Sequence, residues 1–161
     1  MVFRSKLGPQ PQTMNRRVLH LVGRSLVIGA IGLIGHASVQ AHMTQVKGDI
    51  AGTWHVEPNH NPQAGKPATV WVALTRRGGK VLPLSAANCR LAVYQKPRRS
   101  QAQPIARPPL KPINAERYQG IPGATVTFPK VGAYQLTLDC APKQPGDFAP
   151  FQMTHDLTVA R

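Results

Sequence analysis

The segment AYQLTLDC, residues 133–140, alternates apolar and polar side chains with a period of two. Successive side chains of a β-strand point to opposite faces, so the apolar residues of this segment lie together on one face. That face consists of Tyr134, Leu136, Leu138 and Cys140. The segment therefore predicts a half-buried strand that carries Cys140 into the interior.

The segment CRLAVYQ, residues 89–95, has the same alternation and places Cys89, Leu91 and Val93 on one face. Cys89 opens this strand and Cys140 closes the other, so an antiparallel pairing would bring the two thiols together at one end. Two thiols in an oxidising compartment favour a disulfide, with Cα atoms within about 7 Å of each other. The alternative is a pair of separate, reduced and buried thiols.

After residue 42, no stretch has a sustained apolar period of 3.6 residues, and short alternating runs are separated by Gly, Pro and Asn. These runs span residues 52–57, 68–75, 89–95, 123–129, 133–140 and 151–160. The pattern predicts an all-β fold, an antiparallel immunoglobulin-like β-sandwich of about seven strands.

The segment from residue 96 to 120 interrupts this pattern, because five prolines fall within residues 97–112. Proline favours extended backbone and cannot donate a hydrogen bond to a sheet. We therefore predict a Pro-rich loop over residues 96–120 that crosses one edge of the sandwich and joins its two sheets. Long irregular loops are either functional or disordered, and the sequence leaves both open.

The amino-terminal part has the layout of a secretory signal peptide. Residues 14–24 are basic, residues 25–35 are apolar and uncharged, and residues 36–41 form a tail of mostly small residues. We predict a signal-peptide helix within residues 1–41, with translation beginning at Met14.

Cleavage after Ala41 would leave a single sandwich domain, residues 42–161, in the periplasm or outside the cell. The apolar run has 11 residues, whereas a spanning helix needs about 20. The expected membrane contact is therefore only that of the transient signal peptide, and the alternative is a retained anchor.

The chain is strongly basic, with 20 Lys and Arg against 6 Asp and Glu. Five of the basic residues precede Ala41, so residues 42–161 carry a net charge of +9. In an exported protein, such a charge favours an acidic envelope component or an acidic partner protein over nucleic acid. The alternative is a basic surface that serves solubility.

The candidate basic surface comprises two groups on either side of the strand at residues 89–95. They are Arg76, Arg77 and Lys80, followed by Lys96, Arg98 and Arg99. A strand of seven residues is about 23 Å long, so we expect the groups at opposite ends of the sandwich. This spacing argues against one continuous groove for a polyanion.

The histidines suggest a metal site. If His42 is the first residue, its α-amine and imidazole can chelate one ion together, a ligand set that suits Cu(II). His55 and His155 are candidates for a further imidazole, and the Met153 thioether would suit Cu(I). The alternative for His155 is a buried, hydrogen-bonded core residue, and His60 is predicted to be a solvated turn residue. The spacing of the histidines shows no compact zinc motif.

Catalytic motifs are missing from the sequence. The six acidic residues are scattered without a general acid and base pair, and there is neither a G-x-S-x-G segment nor a phosphate-binding loop. We therefore predict that the chain is not an enzyme.

Three segments carry a resemblance to a known family. They are NPQAGKPATVWVALTRRGGKVLPL, CRLAVY and GIPGATVTFPKVGAYQLTLD. The order of turns and strands resembles the YtkA-like exported immunoglobulin-type domains, over residues 58–160. This resemblance implies the sandwich fold and no particular activity. An exported chain that starts at His42 is also similar to the CopC-like periplasmic copper carriers, which use an amino-terminal histidine; that resemblance implies copper as the bound ion.

Two functions follow from the sequence. The first is an exported, non-enzymatic binding module of the periplasm or cell envelope that contacts an unknown protein or an acidic envelope component. The alternative is a periplasmic copper-binding protein with a site at His42. The position of His42 relative to the other histidines would separate the two.

Overall fold

A computed structural model describes residues 43–161 of the chain. The predicted signal peptide, the start at Met14 and the ligand His42 lie outside these residues. Across the described range, no helix is both long and apolar enough to cross a membrane.

The described residues form two antiparallel sheets that pack face to face. The strands are β1 (Thr44–Lys47), β2 (Ile50–Glu57), β3 (Pro67–Arg76), β4 (Ala87–Gln95), β5 (Lys111–Ala115), β6 (Tyr118–Thr127), β7 (Gly132–Pro142) and β8 (Phe151–Val159). One sheet has the order β1-β2-β3-β6-β5 and the other the order β4-β7-β8. The prediction of an all-β, immunoglobulin-like sandwich is confirmed, with eight strands where about seven were expected.

β1 is one of two strands beyond the six predicted runs, and it forms a hairpin with β2. Lys47 pairs with Ile50, so Gly48 and Asp49 form a two-residue loop, and Gly48 adopts a φ of +59°. Such short loops need a positive φ, which glycine supplies without a steric penalty. The alternation rule missed β1 because three of its four residues are exposed and none is buried.

The Pro-rich segment is shorter than predicted, because its last part forms β5. Irregular backbone ends at Leu110, and Lys111–Ala115 pairs with β6. Pro112 is compatible with a strand here because β5 lies at the sheet edge, where a missing N–H leaves no partner unsatisfied. The remaining loop does cross the edge of β4, where the Val93 N–H donates to the Ala106 carbonyl at 2.9 Å.

The core lies between the sheets and is built from the inward faces that the alternation predicted. Leu136 and Leu138 are fully buried, and Phe128 meets Tyr134 edge to face at 5.0 Å between ring centroids. The Tyr134 hydroxyl donates to the Lys130 carbonyl at 2.8 Å. A buried tyrosine that bonds back to the preceding turn is a hallmark of immunoglobulin-like sandwiches.

The disulfide between Cys89 and Cys140 is confirmed. The two residues are direct partners of β4 and β7, with 4.1 Å between their Cα atoms. The reduced-thiol alternative is excluded within the described residues, which contain no free cysteine.

A side-chain bridge joins the edges of the two sheets. The Thr154 N–H donates to Oε1 of Gln45 at 3.1 Å, and Nε2 of Gln45 donates to the Thr154 carbonyl. The side-chain amide of Gln45 therefore makes the two hydrogen bonds to the Thr154 backbone that a neighbouring strand would make at the edge of β8. It holds the start of β1 beside the carboxyl-terminal half of β8, where the candidate site is found.

Candidate metal centre

A cavity of about 450 Å³ opens between the start of β1, the turn after β2 and the last half of β8. Its lining residues are Met43, Trp54, His60, Asn61, Lys96, Ala133, His155, Asp156, Leu157 and Thr158. The cavity thus brings His155 and Asp156, which are neighbours on β8, together with Met43 and His60, which lie far from them in the sequence.

His155 reaches the cavity from the inward face of β8, where it forms part of the predicted apolar face. Its ring is stacked on Trp54, with 5.6 Å between centroids and 14° between planes. Its Nδ1 atom is buried and has no hydrogen-bond partner among residues 43–161. A buried polar atom without a partner costs free energy, so this nitrogen does not fit the core alternative in which His155 is hydrogen-bonded.

His60 reaches the same cavity from the turn that follows β2. Asn59 and His60 both have a φ of 54°, a left-handed conformation in which Asn and His are among the more tolerated residues. The His60 N–H donates to the Val56 carbonyl at 2.7 Å, which fixes the turn. The predicted solvated loop residue is in fact half-buried and lies at the cavity wall.

Burial in the cavity favours the neutral form of His155. Burial lowers the pKa of His155 below its ordinary value, and the charge of His60 lowers it further, whereas Asp156 acts in the opposite direction. A neutral imidazole retains the nitrogen lone pair that metal ligation requires.

The carboxylate in the cavity wall is already engaged. Asp156 accepts a hydrogen bond from Lys96 at 2.6 Å and one from Gln135 at 3.0 Å. The hydrogen bond from Lys96 is the largest cause of the lowered pKa of Asp156. Both carboxylate oxygens already accept a hydrogen bond, so Asp156 is less available as a metal ligand than the imidazoles at the cavity.

His55 does not lie at this cavity. It points to the outer face of the five-stranded sheet, where its ring stacks on Trp71 at 3.6 Å between centroids, and its Nδ1 lies 4.0 Å from a Glu116 oxygen. Its ring centroid is 5.6 Å from that of His60. His55 therefore neighbours one cavity residue without lining the cavity itself.

Met153 also lies elsewhere, because its side chain is fully buried in the core. A Cβ at Gly52 would overlap the Met153 sulfur, which shows how closely the two pack. The methionine at the cavity is Met43, which directly follows His42 in the sequence. The hairpin register pairs Thr44 with Thr53, so the next residue, Met43, lies opposite Trp54. Knowledge of this register would have placed Met43 near the cavity.

The described residues do not form a complete metal site by themselves. No group of three or more His, Cys, Asp or Glu side chains within residues 43–161 is placed to hold an ion. The cavity nevertheless fits a metal in one respect, since it combines two imidazoles with an unpartnered Nδ1. Any further nitrogen ligand would come from outside the described range.

Most residues of the candidate basic surface have partners within the chain. Ion pairs join Arg76 to Asp147, Arg77 to Asp49 and Lys96 to Asp156. The Arg98 guanidinium lies 3.6 Å from the Tyr94 ring centroid. These contacts place the two basic groups in separate local networks, with Arg76 beside the β7–β8 loop and Lys96 at the far end of β4.

A pH dependence of stability follows from the lowered pKa of His155. An unfolded histidine titrates near pH 6.5, so the unfolded chain binds this proton more readily than the folded one. The contribution is fully present above about pH 6.5 and is lost as pH falls towards the folded pKa. We expect the free energy of unfolding to fall between about pH 7.5 and about pH 5.5, and to fall less in His155→Phe.

Urea unfolding in chelator-treated buffer at several pH values measures this difference. The pKa of Asp156 is lowered, so the titration of that carboxyl affects stability mainly below this window. Equal pH dependence in the wild type and in His155→Phe would contradict the assignment.

No family model matches the sequence, and no curated protein is similar to it. Solved structures do share its architecture. FetP from uropathogenic Escherichia coli strain F11, expressed in the periplasm, aligns with a TM-score of 0.52 and 11% identity, over 74% of this chain and 94% of FetP. The chain shares its fold with FetP. A copper-bound FetP variant aligns with a TM-score of 0.53 at 11% identity, over 74% of this chain and 95% of that one.

A DUF4426 family protein from Pseudomonas aeruginosa has the same fold, with a TM-score of 0.50 and 11% identity over 73% of this chain and 96% of that one. At 11% identity, the likeness to FetP and to the DUF4426 family protein concerns the fold alone. The resemblance to YtkA-like domains is supported only as far as the sandwich, since no family model matches.

Proposed function

We propose that this chain is an exported, non-enzymatic copper-binding protein whose site is the cavity between β1, the turn after β2 and β8. The observation that carries the proposal is the buried, unpartnered Nδ1 of His155, which shares the cavity with His60. Two imidazoles from separate segments line one cavity, and Nδ1 of His155 has no competing hydrogen bond within residues 43–161.

The remaining ligands would come from the mature amino terminus. Met43 lies at the cavity wall, and the Cα atom of the preceding residue is only about 3.8 Å from that of Met43. Cleavage after Ala41 would make His42 the first residue, and in this proposal its α-amine and imidazole join the donors of His60 and His155. Such a set of nitrogens suits Cu(II).

The choice of copper has support from chemistry and from the fold neighbour. Imidazole nitrogen binds copper, zinc, iron and nickel, so the donors alone do not select one metal. The copper-bound state of the FetP variant supports copper among these. In this proposal copper is the cargo of the protein, and the residues of the chain bind it, orient it and limit its exposure to solvent.

An exported location is supported by the Cys89–Cys140 disulfide, because such bonds persist in oxidising compartments. A non-catalytic role is proposed because the one carboxylate at the cavity, Asp156, is held by Lys96 and Gln135 and is not paired with a second acid. Contact with an unknown protein or an acidic envelope component, and not with nucleic acid, stays a prediction.

The proposal is tested by titrating copper into the protein that begins at His42, in competition with chelators of known affinity. We expect one bound ion per chain. Loss of a ligand should weaken binding by at least about tenfold, since even the outer-shell partners of metal ligands are worth about 10–100-fold. His155→Phe keeps a ring on Trp54 and removes the nitrogens, whereas His60→Asn keeps a residue that tolerates the left-handed turn.

The matched control is His55→Phe, which removes an imidazole on the outer face and preserves the ring stack on Trp71. Copper affinity in this variant should stay close to that of the wild type. An additional residue before His42 should weaken Cu(II) binding, because it displaces the α-amine. Wild-type affinity in both His155→Phe and His60→Asn would refute the cavity as the copper site.

A further inference from the structure

Two arginines from different parts of the chain line a groove near the start of β4. Arg90 lies on the outward face of β4, between the inward-facing Cys89 and Leu91. Arg107 belongs to the Pro-rich loop that crosses the edge of β4. Both arginines line a cavity of about 530 Å³ and a neighbouring one of about 210 Å³. We call these two cavities together the arginine groove, and its polar lining residues are Asn88, Arg90, Arg107, Asp139 and Gln152.

The positive charges of the arginine groove are available to a ligand. Both arginines are exposed, and within residues 43–161 neither guanidinium takes part in an ion pair or a side-chain hydrogen bond. Of the basic surface predicted from the sequence, Arg76, Arg77 and Lys96 are instead each paired with a carboxylate of the chain. A guanidinium offers five N–H donors whose planar arrangement matches a carboxylate. The groove therefore presents two such groups whose donors the domain itself does not use.

The carboxylate in the groove does not neutralise the arginines. Asp139 is the direct partner of Arg90 in the β4–β7 pairing, but its Oδ1 accepts a hydrogen bond from Gln152 at 2.6 Å, and the two charged residues form no ion pair within the described range. Asp139 also adds a negative charge, which opposes a ligand that carries an anionic group at every repeat. A dense polyanion therefore fits the groove less well than a ligand with a few carboxylates.

The other lining residues suit a peptide. The exposed amide of Asn88 can both donate to and accept from a peptide backbone. Pro150 and Phe151 add apolar surface to the same groove, and on the other side of the arginines it is bounded by Pro108 and Pro109. Two guanidinium groups, an amide and apolar walls together match an extended segment that bears acidic side chains.

We infer that the arginine groove is a docking site for an acidic segment of a partner protein, whose Asp or Glu carboxylates bind Arg90 and Arg107. This interaction goes beyond the proposed copper function and is independent of it. Arg90 lies near the start of β4, whereas Lys96, which lines the copper cavity, follows the end of the same strand. The residues that contact an acidic partner thus differ from the basic groups chosen from the sequence.

The test uses the protein that begins at His42 and a capped peptide of alternating glycine and glutamate, with the glycine–glutamine peptide as the uncharged control. NMR titration at low ionic strength follows the backbone amides of the groove and measures the dissociation constant. Substitution of both Arg90→Gln and Arg107→Gln should weaken binding of the glutamate peptide by at least about tenfold, because both charge-assisted contacts are lost.

The matched control combines Lys80→Gln with Lys130→Gln. Both lysines are exposed, lie outside the groove and form no ion pair within the described residues, so this variant loses the same net charge. Its affinity for the glutamate peptide should stay within about twofold of the wild type, because separated surface charges are largely screened. Urea unfolding curves check that all variants are folded.

Three outcomes would overturn the inference. The first is an equal loss of binding in the two double variants, which would assign the effect to net charge. The second is equal binding, or no binding, of the glutamate and glutamine peptides. The third is tighter binding of a heparin oligosaccharide than of the glutamate peptide through the same two arginines, which would make the groove a polysaccharide site. Copper affinity should be unchanged in the Arg90→Gln, Arg107→Gln variant, so failure of this inference leaves the copper proposal intact.

Discussion

Replacement of Cys89 and Cys140 together by alanine should lower the free energy of unfolding by about 3–4 kcal/mol. The bridge links residues that are 51 positions apart, and a cross-link over a loop of this length restricts the unfolded chain considerably. Domains of this size have total stabilities of about 5–15 kcal/mol, so the double variant should lose a large fraction of its stability.

Urea unfolding under oxidising conditions measures the effect, and reductant provides the control. The stability of the wild type should fall when the disulfide is reduced, whereas that of the double variant should be independent of reductant. Because residues 43–161 contain no free cysteine, no other thiol of the domain complicates the comparison. A loss below about 1 kcal/mol would show that the bridge contributes little beyond the β4–β7 pairing.

Trp54→Ala should be the most destabilising single substitution in the wall of the cavity, with an expected loss of about 3–5 kcal/mol. Trp54 is only 1% exposed and belongs to the main core. Its removal leaves a void that the packed strands cannot fill, and it also takes away the ring on which His155 is stacked.

Trp54→Phe is the matched control, because it keeps an aromatic ring and removes the indole N–H, which has no hydrogen-bond partner in the described part of the chain. We expect it to retain most of the stability that Trp54→Ala loses. Thermal unfolding of the metal-free proteins measures both. Similar losses in the two variants would contradict the expectation that a phenyl ring can replace most of the packing of Trp54.

The strands with strong alternation could be predicted from the sequence because their burial pattern is a local property. Runs such as residues 89–95 and 133–140 have one side packed on the core, and the period of two reports that side directly. β1 was not predicted because no side chain of this edge strand is fully buried, so its sequence does not alternate. β5 escaped because Pro112 argues against a strand unless the strand lies at an edge, and edge positions are known only once the sheet order is known.

The candidate ligands show a similar division. His155 could be chosen from sequence as the exception on an apolar face, and Cys89 with Cys140 could be paired from faces and strand ends. His60 was assigned to solvent because its turn looked ordinary. Its role depends on its proximity to β8, which lies roughly ninety residues further along the chain. The residues of the turn contain no information about that proximity.

By itself, the sequence established the sandwich class and the disulfide, and it predicted an exported domain that begins at His42. Alternation, cysteine placement and the layout of residues 14–41 carry this information because each depends on neighbouring residues. The tertiary structure alone decided that Met43 and His60 line the same cavity as His155, whereas His55 and Met153 do not line it. That outcome depends on how the edges of two sheets come together, through contacts such as Gln45 with Thr154, and such long-range contacts leave no periodic trace in the sequence.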